Sequence, residues 1–250
     1  MRIDLSTYKA ILCDLDGCLI AGDVALPGAK ELVAKYRDSL VAVSNNSTDT
    51  PVTLARRLAT LGLPIPAERI VLAGTTAVDI LAQEFRGARV AVFGSSAIEA
   101  YATLSGLVLV DEDAEFVLLT RDVGFTYERL TRIANMVRSG ARLLVANLDA
   151  THPAADGGLV PETGALLAAV ATCLPKLEYR SIGKPDEMLL RIALKITGAT
   201  AGDAIFIGDN PDTDGEGARR MNMCFAHIGG SDFATVGELM GLPNAAQAGE

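Results

Sequence analysis

The chain has 250 residues, half of them hydrophobic, and a formal net charge of −9. This length supports one large domain or two modest ones. The acidic balance argues against non-specific binding to nucleic acid or an anionic membrane, although a positive pocket for a small anion is compatible with it. The first residues lack the basic start and apolar segment of a signal peptide, and no run approaches the ~20 apolar residues of a membrane helix, so we expect a cytoplasmic protein.

Short apolar runs alternate with helical patterns along the whole chain. The runs that predict strands are rich in Val, Ile and Leu: Ala10–Cys13, Leu40–Val43, Arg89–Phe93, Leu107–Val110, Phe116–Leu119, Leu143–Ala146, Ala204–Ile207 and Cys224–Ile228. The stretches that predict helices include Pro51–Leu61, Thr75–Phe85, Tyr127–Ser139, Glu162–Cys173, Asp186–Thr197 and Thr213–Met221. Strands that alternate with helices of this length predict βαβ units and an α/β fold with a parallel sheet.

Side chains that could take part in catalysis or metal binding follow the first and the last predicted strands, whereas the middle of the chain has fewer of them. In open α/β sheets, ligands bind beyond the carboxyl ends of the strands. We therefore expect a doubly wound, Rossmann-like core formed by residues 1–75 and 181–250, with an α/β domain inserted over residues 76–180. The apparent linkers lie near Ala73–Thr75 and Leu177–Ser181.

Two aspartates directly follow the first predicted strand. Because side chains of an extended backbone alternate, Asp14 and Asp16 point to the same side. Neighbouring carboxylates at the end of a buried strand repel each other and are costly to desolvate. The pair therefore indicates a bound cation or a carboxylate that carries a proton, and a plain acidic turn is the alternative.

A polar turn follows the second predicted strand. Ser44, Asn45 and Asn46 supply a hydroxyl, amides and backbone N–H groups that can hold a phosphoryl oxygen. An ordinary strand-to-helix turn favours the same residue types, so that interpretation stays open.

Two further motifs lie towards the C-terminal end of the chain. Pro185 restricts Lys184 to an extended backbone, so the ammonium can project across a site; a surface lysine is the alternative. The apolar run Ala204–Ile207 ends in an acidic loop. Asp209 and Asp214 are five residues apart, and one loop must bring them together if both serve a hard cation such as Mg²⁺. A solvated acidic loop is the alternative here.

The order of these motifs resembles the haloacid dehalogenase-like superfamily of Mg²⁺-dependent phosphohydrolases. The Asn-Asn pair after Ser44 and the position of the insert are similar to class IIA, which contains nucleotide, sugar-phosphate and p-nitrophenyl-phosphate phosphatases. Residues 125–130, 146–149 and 161–165 extend the resemblance over nearly the whole chain. Ser44 stands where threonine is usual, and this change keeps the hydroxyl.

The resemblance implies a phosphomonoester hydrolase that works through an aspartyl-phosphate. Asp14 would be the nucleophile, Asp16 the acid and then the base, and Lys184 a neutralising cation. Mg²⁺ would be bound by Asp14, the backbone carbonyl of Asp16 and Asp209. Asp214 would orient a metal-bound water or Lys184.

The resemblance also implies that the phosphoryl oxygens are held by Ser44, Asn45 and Asn46, and that the insert is a cap that contacts the leaving group. Asn147 and Asp149 are our candidates for a substrate-facing loop of that cap, and ordinary turn chemistry is the alternative for Asn147. The expected partner is a small-molecule phosphate ester, and the sequence is compatible with a homo-oligomer.

Four other classes of protein are the alternatives to this interpretation. A receiver domain would be roughly half as long and would not need Asp16. A catalytically silent regulator that binds a phosphorylated ligand would be expected to lack Asp14 or Asp16, and a dehalogenase has no use for a proton donor at Asp16. A phosphomutase or phosphotransferase uses the same nucleophile and stays open.

Overall fold

A computed structural model of the protein describes residues 3–153, 158–230 and 232–242. Within these ranges the chain forms two compact units. The first contains the chain up to residue 44, residues 51–71 and the chain from residue 184 onwards; the second contains residues 45–50 and 72–183. The predicted insert, 76–180, lies within the second unit. Among the described helices, none is both long and apolar enough to cross a membrane.

The secondary structure alternates between strands and helices, as the sequence predicts. The strands are β1 (Ala10–Cys13), β2 (Ile20–Ala21), β3 (Val24–Ala25), β4 (Leu40–Ser44), β5 (Ile70–Leu72), β6 (Arg89–Phe93), β7 (Val108–Leu109), β8 (Phe116–Leu119), β9 (Arg142–Val145), β10 (Thr151–Pro153), β11 (Leu159–Pro161), β12 (Tyr179–Ser181), β13 (Ala204–Gly208) and β14 (Cys224–His227). The α-helices are α1 (Ala29–Tyr36), α2 (Pro51–Thr60), α3 (Ala73–Glu84), α4 (Ser96–Leu104), α5 (Tyr127–Arg138), α6 (Thr163–Cys173), α7 (Met188–Thr197), α8 (Glu216–Arg220) and α9 (Val236–Leu239).

The sheet of the first unit has the strand order β14-β13-β1-β4-β5. Strand β1 is central and fully buried, and it pairs in parallel with β13 and β4. Cys13 lies in register with Ile207, and the N–H of Asp14 donates to the carbonyl of Ile207 over 2.8 Å. The residues that end these parallel strands, among them Asp14, Ser44 and Asp209, therefore lie at the carboxyl edge of one sheet.

Helix α7 fixes the position of the loop that carries Lys184. Its buried side chains form one apolar stripe, which packs against β4 and β1: Leu189, Leu190, Ala193 and Leu194. The helix begins at Met188, two residues later than predicted, because the side chain of Asp186 accepts the backbone N–H of Met188 over 2.9 Å. Residues 184–187 therefore form a loop that leads into a firmly packed helix.

The second unit has its own parallel sheet, with the strand order β12-β9-β8-β6-β7. Helices α5 and α6 cover it, and Ile133, Leu167 and Val170 pack with the buried side chains of β8 and β9. The predicted α/β fold, with a Rossmann-like core and a second α/β domain, is confirmed.

The two segments predicted as linkers contain regular structure: Ala73–Thr75 begins helix α3, and Tyr179–Ser181 forms strand β12. Helix α3 begins at Ala73, and Gly74 lies so close to the chain at Ser47 that an added Cβ would come within 2.8 Å of the Ser47 Cα. Residues 179–181 form the edge strand β12, whose tyrosine, arginine and serine show no apolar alternation. A short, exposed edge strand has no hydrophobic pattern from which it could be predicted.

Candidate active site

A lysine lies between two aspartates at the carboxyl edge of the first unit's sheet. The Nζ of Lys184 lies 2.7 Å from Asp14 Oδ1 and 2.6 Å from Asp214 Oδ1. It also donates to the carbonyl of Val43 over 3.4 Å and lies 5.5 Å above the ring of Phe206. Lys184 is 2% exposed, so the surface-lysine alternative is excluded.

The loop after β13 places Asp214 beneath the end of that strand. Residues Pro211–Gly215 form a π-helical turn, which begins where the side chain of Asn210 accepts the N–H of Asp212. Asp214 Oδ2 accepts the N–H of Asn210 over 3.1 Å. A Cβ at Gly208 would come within 2.4 Å of the Asp214 side chain, so a glycine is needed there. This loop therefore brings Asp209 and Asp214 close together, as predicted.

Three carboxylates in this loop system could bind one metal ion. One oxygen each from Asp14, Asp209 and Asp214 lies within 4.8 Å of the others. Gly17, with a φ of +80°, leaves room for Asp209, because a Cβ there would come within 2.1 Å of Asp209 Oδ2. All three donors are carboxylate oxygens, the ligands that Mg²⁺ prefers, and the set contains no His or Cys, which disfavours zinc. The donor set therefore fits the predicted cofactor.

The charges of the cluster also favour a cation. Burial raises the pKa of Asp14 well above its usual range despite the opposing effect of Lys184. Burial, and then the charge of Asp214, raise the pKa of Asp209 to about 6. Burial alone would lower the pKa of Lys184, but the two adjacent carboxylates outweigh it and the net pKa is raised. Three carboxylates around one ammonium leave two negative charges unmatched, which one divalent ion would neutralise.

Asp16 lies at the same edge but in different surroundings. It is exposed, whereas Asp14 is buried. The turn between them and β2 is closed by the N–H of Gly17, which donates to the carbonyl of Ile20 over 2.9 Å. The two carboxylates thus lie in unlike environments. Because burial raises the pKa of Asp14, that carboxyl needs the positive charge of Lys184 and of a bound cation to stay ionised as a nucleophile.

The turn after β4 is folded around its two asparagines. Ser44 is buried at the end of β4. The side-chain oxygen of Asn46 accepts the N–H groups of Thr48 and Asp49, each over 2.9 Å, which shapes the entry to α2. Asn45 has a different partner, because its Nδ2 donates to both carboxylate oxygens of Asp149. Sequence reasoning did not predict this contact.

Asn147 is buried among the polar groups of the second unit. Its Nδ2 donates to the carbonyl of Asn45 over 2.7 Å, and its Oδ1 accepts the N–H of Asp149 over 3.1 Å. Only 1% of the residue is exposed. The predicted contact between Asn147 and a substrate remains a prediction, and the structure adds that both polar atoms of its amide have protein partners.

Replacement of Lys184 by methionine should destabilise the protein. The change keeps the length of the side chain but leaves Asp14 and Asp214 buried without their cation. Breaking such an arrangement typically costs about 3–5 kcal/mol. Denaturant unfolding of the metal-free protein measures this difference. Lys176→Met, at an exposed lysine, is the control; an equal effect of both changes would show that the buried carboxylates do not depend on Lys184.

Comparison with known proteins identifies related families and folds. Residues 11–108 match the family described as haloacid dehalogenase-like hydrolase, and residues 181–230 match a second HAD-hydrolase-like family. The chain is 35% identical over 206 residues to dihydroxyacetone phosphatase of Corynebacterium glutamicum, covering 81% of this chain and 74% of the relative. It is 31% identical over 214 residues to acid sugar phosphatase of Staphylococcus saprophyticus, covering 84% and 82%.

A solved structure supports the same conclusion. The glycerol phosphate phosphatase of Mycobacterium tuberculosis in complex with magnesium superposes with a TM-score of 0.82 at 28% identity, covering 91% of this chain and 70% of that one. The resemblance predicted from the motifs is therefore confirmed. The chain belongs to the haloacid dehalogenase-like hydrolase family, in its class IIA group.

Proposed function

We propose that this protein is a Mg²⁺-dependent phosphatase that hydrolyses phosphomonoesters of small metabolites through an aspartyl-phosphate. The observation that carries the proposal is the placement of buried Asp14 against Lys184, with Asp209 and Asp214 within reach of one metal ion. The similarity to sugar and glycerol phosphate phosphatases supports the same reaction.

The metal would be held by Asp14, Asp209 and the backbone carbonyl of Asp16. Asp214 contacts Lys184 through Oδ1 and accepts the N–H of Asn210 through Oδ2, so we assign it to orienting that lysine or a metal-bound water. When bound, Mg²⁺ supplies positive charge that polarises the phosphoryl group and offsets the excess of carboxylates.

The chemistry would proceed in two steps on this chain's own residues. First, a carboxylate oxygen of Asp14 forms a bond to phosphorus, the ester P–O bond breaks, and Asp16 gives its proton to the leaving oxygen. Second, Asp16 takes a proton from water, whose oxygen attacks phosphorus and breaks the bond to Asp14. Phosphate leaves, and both carboxyl groups return to their starting states. Lys184 stays positive throughout and balances charge on Asp14 and the phosphoryl oxygens.

The phosphoryl oxygens would be held by Ser44 and Asn45, with Asn46 shaping the same turn.

We further propose that the insert, residues 76–180, governs which ester is cleaved, because every residue assigned to the bond-making steps lies outside it. Substrates of this kind carry charges that retain them inside cells, which supports a cytoplasmic location. A homo-oligomer is compatible with these assignments.

Release of inorganic phosphate from a panel of esters tests the proposed function. The panel should include a triose phosphate, glycerol phosphate, a nucleoside monophosphate and p-nitrophenyl phosphate, each with Mg²⁺. We expect phosphate release from at least one metabolite and from the activated aryl ester. Conversion of a sugar phosphate to its isomer without free phosphate would instead identify a mutase. No turnover of any ester would contradict the proposal.

A further inference from the structure

Asn45, the residue directly after Ser44, is held from two sides by the loop that follows β9. Its Nδ2 lies 3.2 and 3.1 Å from the two carboxylate oxygens of Asp149. Its backbone carbonyl accepts the Nδ2 of Asn147 over 2.7 Å. Asn147 in turn accepts the N–H of Asp149, so the two residues that hold Asn45 are also fixed to each other. We call Asp149 and Asn147 the Asn45 clamp.

The clamp is closely packed as well as hydrogen-bonded. Asn45 is 9% exposed. Gly183 fits against it so tightly that a Cβ there would come within 2.6 Å of Asn45 Oδ1 and 2.9 Å of the Asn147 Cβ. Ser47, two residues further along the turn, is also buried, and its Oγ lies 3.4 Å from Asn147 Nδ2. The backbone of the turn therefore has little freedom to adopt another conformation.

We propose that Asp149 is a positioning residue for phosphate binding, acting through Asn45; this inference rests on the proposed function. Hydrogen bonds to an ionised group are stronger than those between neutral groups, so the Asp149 carboxylate is suited to holding an amide in one orientation. Because its Nδ2 donates to Asp149 and its carbonyl accepts from Asn147, the side chain and the backbone of Asn45 are both held in one orientation.

This role has a different kinetic signature from contact with the leaving group. A residue that acts through the phosphate-binding turn affects every ester to the same extent, because all esters share the phosphoryl group. It also affects the binding of inorganic phosphate, which has no leaving group. A residue that contacts the leaving group changes the ranking of esters and does not alter phosphate binding.

The experiment compares Asp149→Ala, Asp149→Asn, Asn45→Ala and the double variant Asn45→Ala/Asp149→Ala. The measured quantities are the dissociation constant of inorganic phosphate with Mg²⁺, by calorimetry, and kcat/KM for p-nitrophenyl phosphate and a sugar phosphate. We expect Asp149→Ala to weaken phosphate binding by roughly 10- to 100-fold and to lower both kcat/KM values equally. Asp149→Asn keeps an acceptor for Asn45 Nδ2 and should recover most of the loss. The double variant should be no worse than the poorer single variant, because both changes break the same contact.

Asp122→Ala is the matched control. Asp122 is a buried aspartate of the same unit that accepts the N–H of Gly124 and pairs with Arg129. Its loss should lower the unfolding midpoint while phosphate binding stays unchanged, which separates positioning from general stability.

Several results would overturn the proposal. Unchanged phosphate binding in Asp149→Ala, a loss restricted to one ester, or additive effects in the double variant would each exclude positioning through Asn45. Equal loss in Asp122→Ala would assign the effect to stability. If the wild-type protein binds phosphate but cleaves no ester, the proposed function fails while the binding comparison still decides the role of Asp149. If it binds no phosphate, both fail.

Discussion

Asp14→Asn should lower the rate of phosphate release by about 10⁴-fold or more, because an amide of nearly the same shape cannot act as the nucleophile. The change also removes one negative charge from the cluster of Asp14, Asp209 and Asp214 and leaves Lys184 paired with Asp214, so the folded state should persist. Steady-state kinetics on an activated aryl phosphate, together with circular dichroism and the unfolding midpoint, measure both parts of this prediction.

Asp212→Asn is the matched control for that variant. Asp212 lies in the acidic loop near Asp209 and Asp214 but is exposed and outside the carboxylate cluster. We expect it to keep nearly full activity. If Asp14→Asn retained more than about a tenth of the wild-type rate, Asp14 would lose its assigned role.

Removal of divalent cations should abolish turnover, and Mg²⁺ or Mn²⁺ should restore it. The cluster of Asp14, Asp209 and Asp214 has two negative charges more than Lys184 can balance, and its donors are oxygens alone. Activity is measured after exhaustive chelation and after each metal is added back. The unfolding midpoint should also rise with added Mg²⁺, since a ligand that binds only the folded state stabilises it. Full activity in the chelated protein would contradict this prediction.

The fold was predictable where apolar runs are long and sharply bounded. Strands β1, β6 and β8 begin and end at the predicted residues because each contains an apolar run of four residues next to a polar or glycine-containing turn. Strand β5 was missed because its three apolar residues run directly into helix α3. Strand β12 was missed as well, and so were the short strands β2, β3, β10 and β11. In all of these, pairing with a neighbouring strand determines the conformation, and the periodicity of one segment does not report such pairing.

The residues of the candidate site were predictable where they come directly after a predicted strand. Asp14 and Asp209 continue predicted strands, and parallel pairing brings them together without further information. The direct ion pair between Lys184 and Asp214 depends on how one loop folds. The contact between Asn45 and Asp149 joins residues 104 positions apart, and no local pattern relates them. Asparagine and aspartate in a turn indicate only local hydrogen bonds to the backbone, so the long-range partner of each could be identified only from the structure.

Trapping the phosphorylated enzyme tests the central claim most directly. An acyl phosphate is reduced by borohydride, which would convert Asp14 to homoserine and identify the residue by peptide mass spectrometry. The Asp16→Asn variant with p-nitrophenyl phosphate is the best sample, because an activated leaving group needs little protonation while the second step lacks its base. We predict homoserine at position 14 only in samples given substrate and Mg²⁺. Modification at another carboxylate, or phosphate release that continues at the wild-type rate with no modification at Asp14, would contradict the account.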